Sequence, residues 1–271
     1  MTNFGFIGAG NMGGALATAV SKSTKSVLIA DHFADKAQTL ADKLGVKSAD
    51  NKEIAQTCEY IFLGVKPQMM ADMLGSIKSE FKARKDNLVL ITMAAGLSIE
   101  TIREMAGGDY KTIRIMPNTP VLVEQGEILY CKSGNVTDSD LQFFLDNMKF
   151  AGMLTPISEE LMNAGCSVSG CGPAFVYMFI KALAQGGEDC GIDSDTSLKL
   201  AAQTVLGSAK LLLESGTDPD VLIKNVCSPG GSTIEGVKSL ENSKLCDVVR
   251  KAVRASYDRN VELGKPVDSE Q

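Results

Sequence analysis

The chain has 271 residues, enough for one large domain or two ordinary ones, and 44% of them are hydrophobic against 22% charged, as in ordinary globular proteins. A net charge of −6 argues against a nucleic-acid partner, which would call for a basic face. One histidine, and seven cysteines without a C-x-x-C pair, argue against a zinc or other metal site and for a reduced, cytoplasmic protein.

Chain order separates two halves. In the first, short apolar runs alternate with amphipathic stretches. Phe4–Ile7, Val27–Ala30, Tyr60–Val65, Leu88–Thr92 and Thr112–Met116 read as strands. Between them lie helical patterns such as Asp35–Leu44, with Ala37, Leu40, Ala41 and Leu44 at helical spacing. Strands apolar on both faces and separated by helices predict a doubly wound parallel sheet. Glu127–Cys131 and Met153–Ile157 read as further strands closing that domain, which is assigned to residues 1–157.

The first strand runs into "FGFIGAGNMGGALA", where Gly8, Gly10 and Gly13 form G-x-G-x-x-G ahead of a helix. Gly8 allows the tight turn, Gly10 lets a pyrophosphate approach the backbone, and Gly13 lets helix and sheet pack closely. The motif predicts a dinucleotide on Ile7, Gly8, Ala9, Gly10, Asn11, Met12 and Gly13, and a Rossmann-type domain around it. Asp31 ends the second strand about 20 residues on, where a carboxylate accepts from the ribose 2′-OH of NAD and repels the extra phosphate of NADP. The cofactor is therefore NADP or NAD, leaning to NAD. His32 follows at the same adenosine end, and Lys36 lies one turn away.

From about Ser158 the pattern is helical only, and residues 158–271 are assigned to a second, all-helical domain. Pro173–Gln185 is apolar nearly all round, which predicts a buried helix. It is the most apolar run in the chain, but the stretch 173–184 is short for a membrane span and carries Lys181. With no basic region ahead of the first apolar stretch, neither a signal peptide nor a membrane partner is expected. Ser194–Glu214 is helical. Asp218-Pro219 is an N-cap and N1 pair opening a helix to about Val226, and a last helix ends at Gly264 with Pro266 behind it. A helical domain of this size carrying an all-apolar helix often completes its core with another subunit.

The stretch "NVCSPGGSTIEGVKSLE" (225–241) places Gly230 and Gly231 at a helix entrance, with Ser232 and Thr233 on the first turn. Unpaired amides at such an entrance, aligned with the helix dipole, suit an anion. The bland alternative is a glycine-rich turn capped by Ser232 or Thr233. Proton donors are scarce, and His32 sits at the adenosine end, where it cannot serve a ketone. A protonated imine accepts hydride without a donor, so the residues point to a C=N substrate carrying a carboxylate.

SPGGST with Gly236 and Leu240-Glu241, "VSGCGPAFVY" (168–177), "LGVKPQ" (63–68), "MAAG" (93–96) and "MPNTP" (116–120) together resemble pyrroline-5-carboxylate reductase, in the family's order from residue 3 to about 263. The resemblance implies reduction of 1-pyrroline-5-carboxylate to L-proline with NADPH or NADH, in the last step of proline biosynthesis. It also implies a dimerisation role for the helical domain, as a homodimer or a larger assembly of dimers. The amides around Gly230, Gly231, Ser232 and Thr233 are then expected to hold the substrate carboxylate, and the Thr233 hydroxyl the ring nitrogen. Val65, Lys66, Pro67, Ala94, Ala95 and Asn51 carry over as cofactor contacts. Asn118, with Thr119, is expected at the nicotinamide pocket, and Asn225 to face the cofactor. Cys171 stands where the family commonly has serine, and Cys227 where a small polar residue is frequent. Two alternatives remain at this point. One is a β-hydroxyacid dehydrogenase, whose lysine has no match nearer than Lys181; the other is a non-catalytic dinucleotide sensor.

Overall fold

The computed structural model describes residues 2–263. Its strands are β1 (Thr2–Ile7), β2 (Val27–Ala30), β3 (Lys47–Ser48), β4 (Cys58–Leu63), β5 (Val89–Thr92), β6 (Lys111–Pro117), β7 (Gly126–Lys132) and β8 (Gly152–Pro156). They form one sheet in the order β3-β2-β1-β4-β5-β6-β7-β8. Because both faces are covered, alternate residues of each strand feed different cores. Phe4, Phe6, Ile29, Phe62 and Ile91 pack on one face with α1 (Asn11–Ser23), α2 (Ala34–Leu44) and α6 (Asp138–Met148). Ile7, Leu28, Ile61, Leu63 and Leu90 pack on the other with α3 (Asn51–Thr57), α4 (Pro67–Ala83) and α5 (Ile99–Ala106). This is the doubly wound arrangement the apolar runs predict.

Two features depart from the expected all-parallel sheet. β7 runs antiparallel to β6, while β8 is parallel to β7. The chain between Pro117 and Gly126 is a short 3₁₀ turn (Thr119–Val123), too short for the crossover a parallel neighbour needs. The two-residue β3 was also not anticipated; so brief a segment has no periodicity to read.

The described residues divide into two compact units, residues 2–171 rejoined by residues 256–263, and Gly172–Ala255. This division by packing lies at 171/172, later in the chain than the expected boundary at 157/158. The helix α7 (Met162–Ser169) belongs with the sheet because Met162 and Cys166 pack against Met116 and Leu129. Asn118 Nδ2 also donates to Ser169 O at 3.0 Å.

The second unit contains α8 (Gly172–Asp189), α9 (Ser194–Ser215), α10 (Pro219–Val226), α11 (Ser232–Asn242) and the first part of α12 (Leu245–Leu263). Asp218 caps α10 by accepting from Asp220 N at 2.8 Å, with Pro219 opening the helix as expected. α8 and α9 pair closely where Gly187 faces Ser197, whose Oγ donates to Ala184 O at 2.5 Å. The expectation that α8 is buried fails within one chain: Tyr177 is 60% and Met178 71% exposed. The expected absence of a span-length segment needs correction as well. Helical structure continues through Glu159–Asp189, a run long and apolar enough by length and composition to cross a membrane. The expected end of the last helix at Gly264 lies outside the described residues.

Candidate active site

Register brings the dinucleotide end together. Ile7 pairs with Ala30 on one side and with Leu63 on the other, so Gly8, Asp31 and Gly64 leave the sheet side by side. The strand order reverses between β1 and β4, and such a reversal opens a crevice at the carboxyl ends of the strands. The three motif glycines each answer a different demand. Gly8 has φ +107°, and a Cβ there would stand 2.6 Å from Gly64 O. Gly13 backs directly onto Gly8 O, leaving no room for a methyl group. A Cβ on Gly10 would meet nothing within 4 Å, so this residue faces open space. Gly10 is also the N-cap of α1 and supplies no side-chain acceptor, so the amides of the first turn remain available to an anion. The turn thus fits the pyrophosphate of a dinucleotide.

Asp31 locks this turn in place. Its Oδ2 accepts from Ala9 N at 2.7 Å and its Oδ1 from Phe33 N at 3.1 Å. Each carboxylate oxygen keeps a further lone pair that a ribose hydroxyl can use. A cleft of about 630 Å³ lies beside it, lined by Ile7, Gly8, Gly10, Asp31, His32, Asn51, Val65 and Lys66 among the expected residues. Asn51 opens α3, Pro67 opens α4 with Lys66 as its N-cap, and Asn11 opens α1. Ala94 and Ala95 lie on the turn after β5, where Ala94 N donates to Thr92 Oγ1 at 3.3 Å. They do not line this cleft.

Asn118 stands apart from the others. It is 8% exposed, its Nδ2 holds Ser169 O, and its Oδ1 accepts from Glu127 N at 2.9 Å. Both ends of the amide are thereby committed to the protein. The cleft also has walls the sequence did not single out: Phe33, Gly64, Gln68, Met69, Asp72 and Met73. Gly64 had a findable signal, a glycine directly after an apolar strand. Gln68 lies within the LGVKPQ stretch, whereas Met69, Asp72 and Met73 had no signal, because only the placement of the helix turns them to the cleft.

In the second unit, Gly231 is the N-cap of α11 with no side-chain cap, so neither Ser232 nor Thr233 caps the helix. Gly230 has φ +72°, a conformation that suits glycine, and Gly231 N donates to Ser228 O at 3.0 Å. Ser232 and Thr233 are exposed on the first turn. Asn225 is exposed near the end of α10. Among the described residues no cluster of three or more His, Cys, Asp or Glu could hold a metal.

A doubly wound sheet with a glycine-rich pyrophosphate turn, joined to a helical unit with an uncapped anion-type entrance, defines a dinucleotide-dependent oxidoreductase. Comparison with known proteins narrows the class. Residues 159–263 match the family model described as pyrroline-5-carboxylate reductase dimerisation, and residues 3–96 the model described as NADP oxidoreductase, coenzyme F420-dependent. The pyrroline-5-carboxylate reductase of Escherichia coli (strain K12) is 36% identical over 266 residues, spanning 96% of this chain and 98% of the relative. That of Methanosarcina acetivorans is 35% identical, spanning 96% and 97%. Among solved structures, the enzyme from Coxiella burnetii matches with a TM-score of 0.90 at 28% identity, over 98% of this chain and 99% of that one. The enzyme from Plasmodium falciparum, with NADP bound, matches at 0.83 and 31% identity, over 97% and 98%. The chain belongs to the pyrroline-5-carboxylate reductase family.

Proposed function

We propose that this chain reduces 1-pyrroline-5-carboxylate to L-proline, with a nicotinamide dinucleotide bound at the glycine turn. The observation that carries the reading is 36% identity to a pyrroline-5-carboxylate reductase across 96% of the chain. When bound, the reduced nicotinamide supplies the hydride. The chain's own residues position and neutralise. Amides of the Gly8–Gly13 turn and the start of α1 receive the pyrophosphate, while Asp31, His32 and Asn51 stand at the adenosine end and Val65, Lys66 and Pro67 beside it. Ala94, Ala95, Asn118 and Asn225 complete the proposed cofactor set; Asn118 acts there through the contacts it holds.

Amides of Ser232 and Thr233, entered through the bend at Gly230 and Gly231, hold the substrate carboxylate, the Gly231 amide being given to Ser228 O. The Thr233 hydroxyl hydrogen-bonds the ring nitrogen and keeps the C=N carbon in line. A protonated imine already carries its proton, so no side chain has to act as an acid, strong base or nucleophile. The Asp31 carboxylate favours NADH over NADPH by repelling a 2′-phosphate. The enzyme works as a homodimer through its helical unit, in the cytoplasm, where its seven unpaired cysteines remain reduced.

The test is nicotinamide oxidation by the purified protein with 1-pyrroline-5-carboxylate, run in parallel with NADH and NADPH. Rapid substrate-dependent oxidation is expected, faster with NADH at equal concentrations. Folded protein that binds a dinucleotide yet oxidises neither form sinks the reading and leaves a sensor. A higher kcat/KM with NADPH removes the role given to Asp31.

A further inference from the structure

The joint between α7 and α8 holds two thiols that the reduction does not use. Cys166 lies in α7, and Cys171 directly precedes α8. Residues five apart in a regular helix have Cα atoms about 8.6 Å apart, beyond the roughly 7 Å a disulfide can span. Here the helix does not continue regularly. Gly170 N and Cys171 N both donate to Cys166 O, at 2.8 and 2.9 Å. The second bond closes a wider loop than a helical turn does and folds Cys171 back over Cys166. A Cβ on Gly170 would stand 2.8 Å from Cys166 Sγ, so glycine leaves that sulfur its room. The Cys171 thiol acts on the Cys166 thiol to raise its pKa, and the Asn260 amide acts to lower it.

We propose that Cys166 and Cys171 form a dithiol that hydrogen peroxide closes to a disulfide, and that closure slows the enzyme. One sulfur, as thiolate, attacks a peroxide oxygen, breaking the O–O bond to give a sulfenic acid and hydroxide. The second sulfur then displaces the sulfenic hydroxyl, which leaves as water, and the S–S bond forms. Two thiols and one peroxide give one disulfide and two waters, and a thiol reductant reverses the change. Burial, and after it the neighbouring Cys171, push the Cys166 thiol up, so closure is slow beside that of dedicated peroxide sensors. The slowing rests on the proposed place of Asn118 in the nicotinamide site. Ser169 lies inside the ring that closes, its carbonyl is held by Asn118 Nδ2, and a contracted ring pulls on that amide.

Trypsin leaves both cysteines on one peptide, residues 150–181, with no other cysteine in it. The whole protein is treated with peroxide, alkylated with iodoacetamide, digested and weighed, while turnover is followed in parallel. The expected result is that peptide two hydrogens lighter with neither sulfur alkylated, and turnover reduced several-fold, both restored by dithiothreitol. Cys171→Ser, and independently Cys166→Ala, should remove both effects. Two alkyl groups on the peptide, or a link from Cys166 to the neighbouring Cys131, overturns the proposal. A closed peptide with unchanged turnover overturns the coupling through Asn118. The mass readout stands even for a protein that turns over no pyrroline-5-carboxylate.

Discussion

At the scale of single residues, the proposed chemistry concentrates on Thr233. It stands on the first turn of a helix whose N-cap, Gly231, offers no side chain, so its hydroxyl is free of capping duty. Thr233→Ala should lower kcat by about 100- to 1,000-fold, the range for losing one preorganised hydrogen bond to a reacting group. Dinucleotide affinity should not change, because the residues proposed to hold the pyrophosphate lie elsewhere in the chain. Steady-state kinetics and a fluorescence titration with NADH separate the two effects, and unchanged turnover removes Thr233 from the mechanism. The sequence made this residue visible because glycines followed by hydroxyls at a helix entrance are an anion signature. It did not reveal the double commitment of the Asn118 amide, since Glu127 and Ser169 are distant in sequence and only the fold brings them to it.

At the scale of elements, the glycine turn separates stability from binding. At Gly8 any side chain meets both an unfavourable φ of +107° and the Gly64 carbonyl. Gly8→Ala should cost about 2 kcal/mol or more, and thermal unfolding should show it directly. Gly10→Ala meets no protein atom, so its melting temperature should stay close to that of the parent while dinucleotide binding weakens at least tenfold. A large loss of stability at Gly10 instead would mean that this residue, too, serves packing.

The entrance to α6 makes a second element-scale case. Asp140 accepts from Lys111 Nζ at 2.7 Å, from Asn87 Nδ2 at 2.9 Å and from Thr137 in a capping box. Burial raises its pKa, but these hydrogen bonds outweigh that and hold it at about 2 against an ordinary 3.8. A folded value below the unfolded one means the stabilisation is present above pH 4 and is lost as pH falls towards 2. Roughly 2 kcal/mol is at stake. Urea titrations of the parent and Asp140→Asn between pH 5 and 2.5 should show the parent losing about that much more than the variant. Parallel pH curves would contradict the network. Elements of this kind were legible where apolar runs are long, as in β1, β2, β4 and β5. The direction of β7 was not, because the run 126–132 reads the same in either orientation and the length of its connection decides.

At the scale of the whole molecule, the helical unit does not close a core of its own. Of residues 172–255 only Ala184, Ser197 and Ala201 are buried, and none is a large apolar side chain. Meanwhile Tyr177, Met178, Leu206 and Leu213 are each more than half exposed. The sequence signalled apolar helices correctly but could not say whether their partner surface lies in the same chain, because periodicity records that a face is covered and not by what. Fully covering one such side chain is worth about 1.5–3 kcal/mol, so several together amount to a stable association. The match of residues 159–263 to a dimerisation family supports a second copy as the covering surface over an isolated helix hairpin or a bilayer. Met178→Asp and Leu213→Asp place a charge on that face, where burial against another subunit becomes costly. In sedimentation velocity at micromolar concentration the parent should run as a dimer or a multiple of it. The double variant should shift towards monomer, with a lower melting temperature, since its helical unit then lacks a core. A parent that sediments as a monomer without detergent would send the search for the covering surface elsewhere, first to lipid.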